Sequence, residues 1–216
     1  MHHSTDPALT LYYSPGACSL AAHIALREAG LGFEARPVLI AKGEHLQPAY
    51  LEINPRGRIP TLVIDGTPLT ELSAILGWIG DRAPDLAPTR GTLAAAQCAE
   101  WLAWFTSGVH ISFALVWRGS RFLERTELHP ELRAIGVAML RRQFADIENR
   151  LASHEYLIDG RYSVADANVL VFYRWANRIG LDTRADYPAW TRHTERLLQR
   201  PAVCDAVAAE GIEIWA

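Results

Sequence analysis

The sequence predicts a mixed α/β domain over residues 8–83, then an all-helical domain over residues 92–216, on three observations. Strand-like and helix-like stretches alternate through the first part of the chain. Beyond about residue 90 every periodic stretch has helical spacing. Between them, Ala83-Pro-Asp-Leu-Ala-Pro-Thr-Arg-Gly91 has the two prolines and the glycine of a linker.

In the first domain, Leu9–Tyr13 is apolar and aromatic and reads as a strand. Ser14-Pro15-Gly16 breaks it, and Leu20, Ile24 and Leu26 recur at helical spacing, so Cys18–Ala29 reads as a helix stopped by Gly30. Phe33–Ile40 reads as a second strand, followed by a polar, irregular stretch through Leu51. Thr61–Asp65 and Thr67–Thr70 flank Gly66 as a tight hairpin, and Glu71–Asp81 reads as the next helix, giving the order β-α-β-α-β-β-α. In the second domain, Thr92–Trp117 reads as one long apolar helix and Pro130–Leu151 as an amphipathic one. Ser163-Val-Ala-Asp166 is a capping box that starts a helix running to about Arg178. No internal repeat or low-complexity segment is present.

Composition narrows the function. The 216 residues are half apolar and carry a net charge of −3, enough for a full core and without the basic excess of a nucleic-acid or anionic-membrane binder. Three widely spaced cysteines suit neither a disulfide framework nor a paired-cysteine zinc site, and point to a reducing cytoplasm. The start lacks an apolar signal core, and no stretch is apolar enough to span a bilayer. His2 and His3 read as part of a frayed terminus rather than a metal site, and no metal is expected.

Chemistry concentrates around Cys18. At the start of a helix, unpaired N–H groups and the positive end of the helix dipole favour a thiolate, so the sequence predicts a thiol pKa well below that of free cysteine. An inert core cysteine is the bland alternative. In Asn54-Pro-Arg-Gly-Arg-Ile-Pro-Thr-Leu62, Pro60 stands directly before a strand, which suits either a trans edge proline or a cis Ile59–Pro60 bond presenting the Ile59 backbone to a peptide-like ligand. Leu69-Thr-Glu-Leu-Ser-Ala-Ile75 opens a helix whose free N–H groups suit a carboxylate while Glu71 suits an ammonium, although Glu71 is also an ordinary first-turn acid. Helical spacing puts His110, Phe113, Ala114 and Trp117 on one face, a polar tip beside an apolar wall, as a satisfied core histidine would also be placed.

In order and spacing, the Cys18 segment, Asn54-Pro with Gly57 and Ile59-Pro60, Thr70-Glu71 with Ala74-Ile75, and the Ser163–Asp166 box together resemble the glutathione transferase family. Tyr12-Tyr-Ser-Pro-Gly-Ala-Cys-Ser-Leu20 with His23-Ile-Ala-Leu-Arg-Glu-Ala-Gly30 is similar to its bacterial beta class. The resemblance implies a thioredoxin-like first domain, an all-helical second domain, a homodimer, and glutathione as co-substrate with a small hydrophobic electrophile. It implies that Cys18 meets the glutathione sulfur and that His110 approaches it to favour thiolate. Ile59 and Pro60, with Arg58 beside them, would face the cysteinyl backbone, and Glu71, Leu72 and Ser73 the γ-glutamyl end. Tyr13 and Ser19 are rival activating hydroxyls ranking below Cys18, and Lys42 matches a glutathione-contacting lysine only by position in a loop of variable length, with a solvated surface lysine as the equal alternative. Phe113, Trp117 and Trp175 would line the electrophile site. The chain departs from the family's pattern at Leu72, where Ser or Gly is usual, and at Ala103, Gly108 and Ile111, where polar neighbours are common. These departures imply looser glutathione binding or a more apolar substrate.

Two reactions suit such a site: attack by a bound glutathione thiolate on an electrophile, or attack by Cys18 on a disulfide, resolved by glutathione since no second cysteine lies nearby. A weakly catalytic binding scaffold is the alternative.

Overall fold

The computed structural model describes residues 7–158 and 160–215, so His2 and His3 lie outside the described residues. Strand β1 (Leu9–Tyr13) leads to helix α1 (Ser19–Glu28), strand β2 (Glu34–Pro37), and a short helix α2 (Pro48–Leu51). Strands β3 (Thr61–Ile64) and β4 (Thr67–Thr70) then precede α3 (Leu72–Gly80). The sheet order is β2-β1-β3-β4, with β1 parallel to β2 and both other pairs antiparallel. This is the thioredoxin-like arrangement. The β3–β4 turn needs only two residues because Asp65 (φ 48°) and Gly66 (φ 79°) are both left-handed, which matches the strands' twist. The second strand is shorter than the expected Phe33–Ile40: the ladder stops at Pro37, and beyond it only the Val38 N–H reaches β1, at Tyr13 O, 2.7 Å away.

Every residue of α1 from Ser19 to Leu26 is buried, because the helix packs on β1 and α3 and is covered by the second domain. That domain holds α4 (Leu93–Trp104), α5 (His110–Trp117), α6 (His129–Ser153), α7 (Val164–Arg178), α8 (Thr183–Asp186), α9 (Pro188–Leu197) and α10 (Pro201–Glu210). Helices α7 and α10 pack on α1, and one apolar cluster runs from Leu9 to Ile214 across both domains. The connecting stretch is docked rather than free: Leu86 is buried, and its carbonyl accepts from Val164 N–H at 2.9 Å.

The expected helix over Thr92–Trp117 is interrupted. Residues Phe105–Val109 form a π-helical turn between α4 and α5, containing Gly108, where an added Cβ would lie 3.3 Å from the Trp104 indole. The extra residue resets the phase of α5. Helix α6 extends slightly beyond the expected range at both ends.

The Ser163–Asp166 capping box forms at the head of α7. The fully buried Asp166 carboxylate accepts from Ser163 N–H (2.8 Å), Ser163 Oγ (2.9 Å), Leu157 N–H (3.0 Å) and His193 Nε2 (2.9 Å). Asp166→Ala would strand these donors in the core, so it is expected to cost about 3–5 kcal/mol of stability. Urea unfolding measures this, and a loss below about 1 kcal/mol would show that the box contributes little.

Candidate functional site

The head of α1 is positioned by the second domain. Gly16 N–H donates to Glu210 Oε2 at 2.8 Å, and Gly16 C=O accepts from Trp175 Nε1 at 2.8 Å and Arg174 Nη1 at 3.2 Å. Gly16 sits at φ +68°, and a Cβ there would fall 2.6 Å from Arg174 Nη1, so only glycine fits. Glu210 also meets His23 Nδ1 of α1 at 3.0 Å, with both side chains buried. Cys18 follows as the N-cap of α1.

Cys18 is almost wholly buried, and its Sγ donates to the Ile59 carbonyl at 3.6 Å. Burial pushes its thiol up to about 11. The Arg118 guanidinium and the N–H groups of Cys18 and Ser19 pull it down, and Glu71 pushes it up further. The expected lowered pKa is therefore overturned: the helix-terminus effect is present, but desolvation of a thiolate exceeds it. His110 corrects a second expectation. Burial, then Arg118, Arg58 and Arg121, bring its imidazole down to about 4. It is a neutral hydrogen-bonding group near neutral pH and supplies no cation to a thiolate.

Around Cys18 the loop before β3 is tightly built. Tyr50 Oη donates to Arg58 O (2.6 Å), and Asn54 Nδ2 donates to Arg58 O (2.8 Å) and Thr61 Oγ1 (3.0 Å). The Ile59–Pro60 peptide is cis. Arg58, Ile59, Pro60, Glu71 and Leu72 line one cleft with Cys18 and His110. Glu71 caps α3 from a left-handed backbone (φ 67°), a conformation that is costly for a residue with a side chain and concentrates at functional sites. The first intrahelical bond of α3 is Ile75 N–H to Glu71 O, so the N–H groups of Leu72 to Ala74 lie ahead of the helix ladder.

A second cleft, of about 510 Å³, meets the first at His110 and is walled by Phe113, Ala114, Trp117 and Trp175. Trp175 packs edge-on against His110 (5.4 Å between centroids) and Phe113 (5.1 Å), and Phe113 stacks on Trp117 (5.1 Å).

Four expected residues are not brought to these clefts. Tyr13 packs its ring on His23 (5.3 Å), and burial followed by Glu210 raises its phenol pKa. Ser19 is fully buried, with its Oγ bonded to Ser14 O (3.2 Å) and Ser14 N–H (3.1 Å). Ser73 faces a separate cavity beside Ala87 and Cys98. Lys42 stands exposed in a 3-10 turn and lines neither cleft. Conversely, Arg118 and Arg121 lie against Cys18 and His110, in a cleft that also holds Arg58 and His45, although sequence reasoning passed over both. A cation just past the apolar run ending at Trp117 was the available signal. Among the described residues, no group of three or more His, Cys, Asp or Glu side chains is placed to hold a metal ion, and no helix is long and apolar enough to cross a membrane.

Site-resolved alkylation followed by mass spectrometry is expected to show Cys18 reacting slowly at pH 8, with a midpoint near 11. A midpoint below about 8.5, the ordinary thiol value, would refute the dominance of burial. His110, whose pKa is lower folded than unfolded, costs stability as pH falls from about 6.5 towards 4. His110→Gln should flatten that part of the thermal-unfolding profile.

Two family models match the chain: the glutathione S-transferase N-terminal domain over residues 16–82 and the C-terminal domain over residues 122–201. Glutathione S-transferase GstA of Escherichia coli O157:H7 is 32% identical over 95% of this chain and 100% of its own length. A glutathione transferase homolog from Sulfitobacter, solved with bound glutathione, superposes with a TM-score of 0.88 at 33% identity, covering 95% of this chain and 99% of that one. The beta class enzyme of Sphingomonas chungbukensis gives a TM-score of 0.83 at 34% identity, over 94% of this chain and 100% of that one. Matched in both domains and along nearly its whole length, the chain belongs to the glutathione S-transferase family.

Proposed function

We propose that this transferase joins the sulfur of glutathione to small hydrophobic electrophiles. The observation that carries the reading is the meeting of two clefts at His110, one holding Cys18 with the Ile59 backbone and Glu71, the other walled by Phe113, Trp117 and Trp175. Glutathione lies in the first: its γ-glutamyl carboxylate faces the N–H groups at the head of α3, its ammonium faces Glu71, and its cysteinyl backbone pairs with Ile59. Leu72 contributes its backbone N–H and an apolar side chain. Ser73, facing elsewhere, adds no hydroxyl.

In this reading glutathione competes for the Ile59 carbonyl that Cys18 now engages, freeing the Cys18 S–H to donate to the glutathione thiolate. Neutral His110 supplies a second hydrogen bond. The thiolate attacks the electrophile lying on Phe113, Trp117 and Trp175; a carbon–sulfur bond forms and the leaving group departs with its electron pair. The glutathione thiol proton has already passed to solvent. A thiol held near 11 is a poor nucleophile at neutral pH, so Cys18-centred disulfide exchange is the minor reaction. Detoxification, a cytoplasmic location and a homodimer are further parts of the proposal, supported by family membership. Three free cysteines fit a reducing compartment.

A generic aryl halide with glutathione tests the conjugation. Cys18→Ala is expected to keep part of the rate while losing the mixed disulfide that oxidised glutathione forms with the wild type, read by mass spectrometry. Equal, complete loss of both in a folded variant would make Cys18 indispensable to conjugation and overturn this division of roles. His110→Ala should slow conjugation by roughly ten- to a hundredfold, the scale of a supporting group. Light scattering should give twice the 24.0 kDa of one chain, and a stable, active monomer would remove the dimer from the proposal.

A further inference from the structure

Three guanidinium groups surround Cys18 and His110 without a counter-ion. Arg58 comes from the loop before β3, Arg118 from the end of α5, and Arg121 from the turn that follows. Among the described residues, none of the three has a side-chain hydrogen bond or an ion pair. Neither cleft that Arg118 lines contains an acidic side chain. Glu71 lines the adjoining cleft together with Arg56 and Arg58, without an ion pair to either. The excess positive charge is felt locally: Arg118 and Arg58 both lower the pKa of Arg121, after burial, as they do that of His110.

The helix dipole explains a cation at the C-terminal end of α5, where Arg118 stands, but it does not bring in Arg58 from the other domain. Glutathione does not balance the charge either. Its γ-glutamyl end is assigned to α3, which leaves the thiolate and one glycyl carboxylate against three guanidinium groups. Of the three, Arg118 is the residue that also lines the aromatic cleft, which Arg174 and Arg178 line as well. An apolar wall beside uncompensated guanidinium charge selects a ligand with an aromatic body and an anionic end.

We propose that the second substrate is an anionic aromatic electrophile, whose ring lies on Phe113, Trp117 and Trp175 and whose carboxylate is held by Arg118. The assignment rests on the conjugating reading above and names its substrate class. With 4-chloro-3-nitrobenzoate the balance is complete: sulfur bonds to the ring carbon that carries chlorine, chloride leaves with the bonding pair, and the thiol proton goes to solvent.

The test compares 4-chloro-3-nitrobenzoate with 4-chloro-3-nitrobenzamide, each rate divided by its uncatalysed rate with glutathione. The wild type is expected to favour the benzoate by about tenfold or more in kcat/KM, the scale of one charge-assisted contact, and less as salt is raised. Arg118→Gln should bring the ratio close to one, and Arg118→Lys should keep part of the preference. In parallel, tryptophan fluorescence reads binding of the unreactive pair 3-nitrobenzoate and 3-nitrobenzamide, with the same expected preference and the same loss in Arg118→Gln. Equal handling of acid and amide by the wild type overturns the inference without any variant. A rise in glutathione KM with an unchanged acid-to-amide ratio in Arg118→Gln overturns it too, by assigning Arg118 to glutathione. Preferential binding of 3-nitrobenzoate that depends on Arg118, with neither chloride turned over, supports the anion site and instead defeats the conjugating reading.

Discussion

Gly16 is gripped through its own backbone by the far domain, and the geometry around Cys18 depends on that grip. Glu210 takes its N–H, while Trp175 and Arg174 take its carbonyl, from helices that lie more than 150 residues away in sequence. No side chain could occupy this turn without meeting the Arg174 guanidinium. Helix α1 is thereby fixed at its first turn as well as along its length, and the two domains behave as one packed body sharing one core. Trp175 couples the grip to the aromatic cleft, since the indole whose N–H holds Gly16 also packs against His110 and Phe113.

The electrostatics of the clefts reflect a contest between dehydration and local charge. A helix start beside an arginine would lower a thiol pKa in open solvent, yet Cys18 is enclosed by both domains and burial prevails. The same enclosure, with the arginines added, strips His110 of its proton. The site is thus composed of neutral donors facing a positive field, suited to receive negative charge from a substrate.

Much of this was legible in the chain itself. Hydrophobic periodicity and turn residues are local, so β1, α1, the Asp65-Gly66 hairpin and the start of α7 at Ser163 could be read directly. The face bearing His110, Phe113, Ala114 and Trp117 also emerges from spacing, because all four lie after the π turn and share one phase. What could not be read depends on partners distant in sequence. The burial of Cys18, the tie of Ser19 to Ser14, the contact of Tyr13 with His23 and the gathering of Arg58, Arg118 and Arg121 are tertiary facts. A serine at position 73 likewise carries no local mark of the cavity it faces.

The π turn at Phe105–Val109 gives the second domain an unusual evolutionary lever. A π turn holds one residue more than an α-helical turn, so it has the geometry of a one-residue insertion in a regular helix. Removing a single residue there would rotate α4 against α5 by about 100°. Lineages that gained or lost this residue would present different side chains to the same cleft without altering any loop. Length changes inside a helix, normally the least forgiving place for them, could then diversify substrate choice in this fold as effectively as changes in its surface loops.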